Sequence, residues 1–386
     1  MANAPLRILH VVGALKCGGI ESWLMHVLRH IDRERFKMDF LVYTTESGPY
    51  HDEIRALGSQ IIICPHPRRP HQFAPRFRRL LRSRGSYDII HSHNHYCSGY
   101  VLRQAAAAGV PVRIAHSHMT GDDRPGTLLR TLYRRLMVRW ITKYATHGLA
   151  CSSLAAGALF GPEWNNDGRF QVLPCGIDLS SFDSDANSLK VRAELGIPAG
   201  AIVVGHAGRF APQKNHLFLV QIAKELAAMN PKIWFLLLGD GPLRDQIARQ
   251  VAALGLTRRF VFAGVRPDVP RLMLSAMDTF LLPSLHEGLP MVGVEAQAAG
   301  LPCVFSDAIT REVQVVAEST EFVPLSRSAR FWAERVLASM ALKRKPRNEA
   351  INALREAGFC HQDSVRRLSR IYELLSDPHR AICSSP

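Results

Sequence analysis

Short apolar runs alternate along the chain with longer stretches whose apolar positions recur at helical spacing. In the first half the runs are Arg7–Gly13, Met38–Thr44, Gln60–Pro65, Asp88–His93, Val112–His118, His147–Ser152 and Phe170–Pro174. Residues 176–200 break the pattern with a polar stretch rich in Asp and Ser, read as a linker with a short helix. The runs then resume at Ile202–Gly208, Ile233–Gly239, Arg259–Gly264, Thr279–Ser284, Pro302–Ser306 and Phe322–Leu325, and residues 328–376 read as two or three helices. Brief runs that are apolar throughout mark strands covered on both faces, and their alternation with helices predicts parallel sheets. The expected fold class is α/β, with two doubly wound, Rossmann-like units of similar size that face each other across a cleft. Ligands of such sheets bind at the carboxyl ends of the strands.

Composition narrows the class. Apolar residues make up 47% and charged residues 21% of the 386, which excludes a disordered chain. No apolar stretch approaches the ~18–20 residues of a spanning helix, and Met1–Gly13 lacks the build of a secretory signal. A cytoplasmic location is expected. Cys17, Cys64, Cys97, Cys151, Cys175, Cys303, Cys360 and Cys383 have no CxxC or regular spacing. They are expected as free, mostly buried thiols.

The net charge of +15 is uneven: residues 1–180 carry 23 Lys+Arg against 13 Asp+Glu, and residues 181–386 carry 25 against 20. An anionic partner for the first half follows: nucleic acid, acidic membrane or a phosphorylated substrate. Nucleic acid is not expected, because no recognition motif appears and the basic residues are not interleaved with stacking aromatics. Residues 68–84 hold seven arginines and no acid, with Phe73, Phe77, Leu80 and Leu81 at roughly helical spacing. This segment suggests an interfacial amphipathic helix on anionic lipid. Arg130 to Lys143 forms a second basic stretch.

Several motifs sit where strands give way to helices. Gly18 and Gly19 follow the first strand, where backbone amides can approach an anion. The segment is neither GxGxxG nor a P-loop, which argues against a nicotinamide dehydrogenase. His91, His93 and His95 alternate, as do His116 and His118. Such spacing can ligate a metal, but no carboxylate or cysteine cluster accompanies it; structural or strand-end histidines are the favoured reading, with His116 carried forward. Arg209 and Lys214 flank the turn after the first strand of the second unit, where two cations oppose the helix dipole and a bound diphosphate would offset them. Gly239-Asp240-Gly241-Pro242 marks a turn, with Pro242 a candidate first helical residue. The richest segment runs from Ser284 through Glu287, Gly288, Leu289, Pro290, Met291, Val292 and Glu295 to Pro302. Glu295 falls inside an otherwise apolar helix, where a carboxylate is expensive unless something hydrogen-bonds it; ribose hydroxyls are one such partner.

The Glu287-x7-Glu295 pattern resembles the retaining family 4 glycosyltransferases of the GT-B fold. Arg209 to Lys214, Gly239 to Pro242, Gly18-Gly19 and Cys175-Gly-Ile-Asp178 follow in that family's order, so the resemblance spans nearly the whole chain. His91-Ser-His-Asn94 and Ala115-His-Ser-His118 look most like exopolysaccharide and O-antigen glycosyltransferases. The resemblance implies an acceptor-binding domain over 1–175, a hinge over 176–200, a nucleotide-sugar domain over 201–358, and a helix in 359–386 that crosses back to the first domain. It implies hexosyl transfer from a nucleotide sugar, by family frequency a UDP sugar, to a polyprenyl-linked or other glycan acceptor at an anionic membrane surface. The nucleotide sugar is a co-substrate, and no cofactor or metal is implied. Arg209 and Lys214 would grip the diphosphate. Glu295 would bind the ribose, and Glu287 with the Gly288, Leu289, Met291 and Val292 backbone would hold the sugar. Val265 and Arg266 would meet the base, Gly18 and Gly19 the phosphates, and His116 the reacting carbon. The sequence departs from the family at Cys175, where Asn is usual; this removes an amide donor and acceptor from the hinge.

Overall fold

A computed structural model of the chain describes residues 4–16, 18–83, 87–121, 126–183, 187–342 and 344–376. It divides into two compact units, Met1–Gly176 with His361–Pro386, and Ile177–Cys360.

The described part of the first unit contains a seven-stranded sheet: β1 (Leu6–Val11), β2 (Phe36–Val42), β3 (Ile61–Ile63), β4 (Ile89–Ser92), β5 (Val112–Ser117), β6 (His147–Ala150) and β7 (Phe170–Val172). The order is β3-β2-β1-β4-β5-β6-β7, and every pairing is parallel. The described part of the second unit contains a six-stranded sheet of β8 (Ile202–Ala207), β9 (Ile233–Leu238), β10 (Phe260–Gly264), β11 (Thr279–Leu282), β12 (Cys303–Ser306) and β13 (Thr320–Val323). Its order is β10-β9-β8-β11-β12-β13. All thirteen expected strands are present, because runs such as Ile-Trp-Phe-Leu-Leu-Leu have no polar face to show water. The strand order reverses between β1 and β4 in one sheet and between β8 and β11 in the other. Neighbouring loops diverge at such switch points and leave a crevice at the strands' carboxyl ends.

Helices cover both sheets. In the second unit His216–Met229 packs against Ala329–Met340, enclosing Leu219, Val220, Leu226, Trp332 and Val336 with β9. The stretch expected as a linker with a short helix does contain one, Ser188–Glu194, and it is packed on this unit: Arg192 is buried with its guanidinium 2.8 Å from Asp278, and Ser188 Oγ donates to the Ser275 carbonyl at 2.5 Å. The last helix, His361–Ser376, belongs to the first unit, where Trp23 Nε1 donates to Ser364 Oγ at 3.0 Å.

Two local expectations are corrected. Phe73, Phe77 and Leu81 of the helix Pro70–Ser83 are buried, so its apolar stripe faces the protein core, while Arg76, Arg79 and Arg82 face water with other polar residues. Arg84 lies outside the described residues. Pro242 precedes its helix, which begins at Arg244 with Leu243 as N-cap. Cys64, Cys97, Cys151, Cys175, Cys303 and Cys360 are free thiols, all buried except the half-buried Cys97, while Cys17 and Cys383 lie outside the described residues. No described helix is long and apolar enough to cross a membrane.

Candidate functional site

The switch point of the second sheet collects most of the expected residues. After β8 the chain runs through Gly208 and Arg209 into the short turn Pro212–Lys214 and the left-handed Asn215, then enters the helix His216–Met229. After β11 it crosses residues 283–290 and enters the helix Met291–Ala298. The two loops are tied together: the Leu285 amide donates to the Gln213 carbonyl at 2.8 Å, and Gln213 Nε2 donates to the His286 carbonyl at 3.0 Å and to Glu287 Oε2 at 2.9 Å. Lys214 Nζ lies 2.6 Å from Glu287 Oε1, with both side chains nearly buried. This bridge holds a cation and an anion at the carboxyl ends of adjacent strands.

Two charged groups near it have no partner among the described protein groups. Arg209 is exposed and makes no hydrogen bond or ion pair. Glu295 is part-buried and likewise unpaired, with burial pushing its carboxyl up to about 7 and the nearby Lys214 ammonium partly countering the rise. The Met291 and Val292 amides open the helix, where no carbonyl one turn earlier is available to bond them. Gly239 to Gly241 buttress the Arg209 loop. A Cβ at Gly239, whose φ is +120°, would stand 2.2 Å from the Gly208 carbonyl oxygen, and the Phe210 amide donates to the Asp240 carbonyl. That turn is therefore a packing requirement of the cation-bearing loop.

The remaining residues assigned to the donor lie on other elements. Val265 is exposed after β10, and the Arg266 guanidinium is held by Asp268 at 2.8 and 2.9 Å. Gly18 and Gly19 lie in the first unit at the start of the helix Gly19–His30, where a Cβ on Gly18 would meet Glu21 Oε2 at 2.5 Å. The Glu21 carboxylate thus already faces that helix terminus.

His116, also in the first unit, ends β5 inside a buried histidine cluster. Its Nδ1 is 3.0 Å from His91 Nε2, and His91 Nδ1 is 2.7 Å from the Tyr372 hydroxyl on the returning helix. A second chain links His118 Nε2 to His93 Nδ1 at 2.9 Å and His93 Nε2 to His10 Nδ1 at 3.0 Å. Burial, reinforced in most of them by neighbouring imidazoles, holds all five well below the usual histidine range: His10 and His118 fall to about 3. All five are neutral at pH 7, and each nitrogen in a His–His contact must either donate or accept. His116 Nε2 is buried and has no protein partner, so it is the end of its chain. His95 leaves the alternation: β4 stops at Ser92, and His95 adopts φ 47° in the following turn.

The sequence reading missed a pocket of about 620 Å³ at the switch point of the first sheet. It is lined from the loops after β1, β2, β4 and β5 by Gly13, Tyr43, Asn94 and Met119, and from the helix Leu128–Tyr144 by Arg130, Tyr133 and Trp140. Tyr96, Tyr100 and Arg68 complete an aromatic wall edged by two guanidinium groups. Adjacent to the pocket-facing arc, the helix Leu128–Tyr144 exposes Leu128, Leu129, Leu132 and Leu136 to solvent. Its lining comes from six separate segments whose few aromatics carry no periodicity, so no sequence signal announced this cavity.

Comparison with known proteins places the chain. The Glycosyltransferase Family 4 model matches residues 17–181, and the Glycosyl transferases group 1 model matches residues 187–357. The putative glycosyltransferase EpsF of Bacillus subtilis (strain 168) is 33% identical over 384 residues, spanning 98% of this chain and 99% of that protein. The Escherichia coli UDP-Gal:alpha-D-GlcNAc-diphosphoundecaprenol alpha-1,3-galactosyltransferase is 30% identical over 319 residues, 79% of this chain and 80% of its own. Among solved structures, Anabaena HepE in complex with UDP and glucose superposes with a TM-score of 0.79 at 21% identity, covering 95% of this chain and 99% of that one. The two sheets are thus those of the GT-B fold, and the chain is an enzyme of the glycosyltransferase family 4 group.

Proposed function

We propose that the enzyme transfers a hexosyl unit, with retention of configuration, from a UDP sugar to a lipid-linked glycan in cell-surface polysaccharide synthesis. The observation that carries the donor assignment is the unpaired Glu295 carboxylate beside the Lys214–Glu287 bridge, at the switch point of the second sheet. Burial has made that carboxylate a strong acceptor with no donor among the described residues, and vicinal ribose hydroxyls are its natural complement. Arg209 and Lys214 supply the positive charge that a departing diphosphate needs, and the amides opening the helix Met291–Ala298 add a partial charge of the same sign. Glu287 and the Gly288 to Val292 backbone hold the sugar, and Val265 with Arg266 flanks the base. No metal or cofactor is required in this reading.

Cleavage of the sugar–phosphate bond passes through an oxocarbenium-like state. The acceptor hydroxyl attacks on the face the diphosphate leaves, and the departing phosphate oxygen takes its proton. In this reading His116, held neutral and bonded to His91, is assigned to the reacting sugar carbon, and Gly18 and Gly19 to the phosphates, as the family resemblance implies.

The acceptor belongs in the pocket of the first unit. Tyr133 and Trp140 give flat faces for sugar rings, and Arg68 and Arg130 suit a diphosphate. The exposed leucines on the neighbouring arc of the same helix suit the membrane that would carry a polyprenyl tail, and Arg135, Arg139 and Lys143 suit anionic headgroups. The names of two relatives support this reading: the E. coli protein is named for a UDP sugar and a diphosphoundecaprenol acceptor, and HepE was crystallised with UDP and glucose. The test is to incubate the enzyme with a panel of nucleotide sugars and an undecaprenyl-diphosphate glycan and to read the new linkage by NMR. Consumption of a UDP-hexose with the donor's anomeric configuration kept is expected. An inverted product would sink the retaining mechanism, and turnover with a GDP sugar alone would sink the donor.

A further inference from the structure

We propose that His26, His30 and His361 form a binding site for a divalent transition-metal ion on the first unit, away from the pocket and the histidine cluster. His26 and His30 stand four residues apart on the helix Gly19–His30, which places them on one face, one turn apart. His361 is the first residue of the returning helix His361–Ser376. One ligand nitrogen from each lies within 4.8 Å of the other two. The His361 ring is 5.1 Å from that of His26 and 4.4 Å from that of His30.

Three imidazoles around zinc hold their nitrogens about 3.4 Å apart, given Zn–N bonds of about 2.0–2.1 Å at tetrahedral angles. Binding would draw the three rings together by side-chain rotation from the 4.8 Å within which their nitrogens already lie. His30 is also set up as a ligand: its Nδ1 lies 2.9 Å from the His26 carbonyl, which fixes a proton on Nδ1 and leaves Nε2 as the electron-pair donor. The nearby Arg29 guanidinium is neutralised by Glu53 at 2.6 and 2.8 Å, so it does not repel a cation.

Two further histidine trios, His10-His91-His93 and His93-His116-His118, meet the same spacing. They are poorer candidates. Most of their nitrogens bond one another in the buried chains, and His10, His91, His93 and His116 are buried in the core. The trio on the helix surface runs from buried His361 through half-buried His26 to exposed His30, so an ion enters directly and keeps a fourth position for water. The ligand set of neutral imidazoles selects zinc, copper, nickel or cobalt over magnesium or calcium.

A metal held there clips the start of the returning helix to the first helix, one turn from the Trp23–Ser364 hydrogen bond. The site would act on the stability of the first unit and is independent of the donor and acceptor assignments.

The test uses the tag-free full chain, stripped with chelator and titrated with Zn2+ by calorimetry and with Co2+ by visible absorption. One tight equivalent is expected, with the intense bands of four-coordinate Co2+ and a higher melting temperature in zinc. His30→Ala and His26→Gln should each weaken it roughly tenfold or more, as loss of one of three ligands requires, and should abolish the thermal gain. His71→Ala, an exposed histidine on another helix, serves as the control and should bind as the parent does. Unchanged affinity in both His30→Ala and His26→Gln would overturn the proposal, as would loss of the tight equivalent in His118→Gln alone.

Discussion

Lys214 and Glu287 reach toward each other from the loops of two neighbouring strands and meet with Nζ 2.6 Å from Oε1. Each is nearly buried, so each depends on the other to compensate for lost water.

Removing one partner should therefore do two separable things. Lys214→Ala should destabilise the fold by roughly 3 kcal/mol, because it takes the opposing cation away from the nearly buried Glu287 carboxylate. It should also lower kcat/KM by about 10²–10³ by deleting a charge on the leaving diphosphate. The double change Lys214→Met with Glu287→Gln should recover much of the stability and none of the activity. Thermal denaturation and steady-state kinetics on the three proteins check this; recovery of activity in the double variant would make the pair structural only.

Glu295 gives a pH dependence whose sign is fixed. Its carboxyl sits at about 7 in the fold and near 4.5 when unfolded, so the native state binds the extra proton between those values. Its ionisation thus erodes stability as pH rises from 4.5 to 7 and leaves a constant penalty above that. Glu295→Gln should raise the melting temperature at pH 8, by on the order of 2 kcal/mol once the partly solvated edge of the group is discounted, and should be neutral at pH 4.5. UDP affinity should rise through pH 7 in the parent and stay weak and flat in the variant. A parallel pH response of the two proteins would remove Glu295 from the ribose.

The histidine cluster should make the first unit acid-labile. Its five imidazoles are neutral when folded and bind protons near 6.5 when unfolded, so their contribution is complete above 6.5 and is lost as pH falls toward their depressed values. Each one adds a slope of roughly 1.4 kcal/mol per pH unit below 6.5, so denaturation midpoints should drop steeply between pH 6.5 and 5. Tyr372→Phe, which unpairs His91, should cost about 1–3 kcal/mol. His116→Ala should abolish transfer while leaving UDP binding intact, whereas Glu295→Ala should lose both. Loss of UDP binding in His116→Ala would place that residue in a different role.

The helix Leu128–Tyr144 carries two separate functions in this reading, and they can be split. Leu129→Ser with Leu132→Ser should weaken sedimentation with anionic vesicles by the ~1.5–3 kcal/mol that each buried leucine would contribute, without changing transfer to a soluble acceptor. Trp140→Ala should raise the acceptor KM and leave vesicle binding and UDP affinity alone. If both variants behave alike, the pocket and the leucine arc are one surface.

The strands were legible because a parallel sheet leaves no room for polar residues. The donor-side loops were legible because Gly, Pro and charged residues fall where β8 and β11 end. Spacing could not tell a core-facing stripe from a lipid-facing one: Phe73, Phe77 and Leu81 have the period of an interfacial helix and are buried in the core, while the exposed leucines of 128–136 passed as part of a basic helix. The histidine chains were half visible. The alternation at 91–93 and 116–118 could be read, but His10 and Tyr372 join from distant parts of the chain, and His95 turns away where β4 ends. The aromatic pocket was invisible because its residues become neighbours only when six segments converge.

The hydrogen bonds from Trp23 to Ser364 and from His91 to Tyr372 give the first unit a seam between the two ends of the chain. Synthesis proceeds from the N-terminus, so the ribosome delivers that unit's sheet first and its closing helix last, after all of residues 177–360. A chain cut short after the second unit would carry every donor-side residue, yet it would leave the histidine core of the first unit open to water. The order of translation thus acts as an inspection step: the first unit can finish folding only after residues 177–360 have been made.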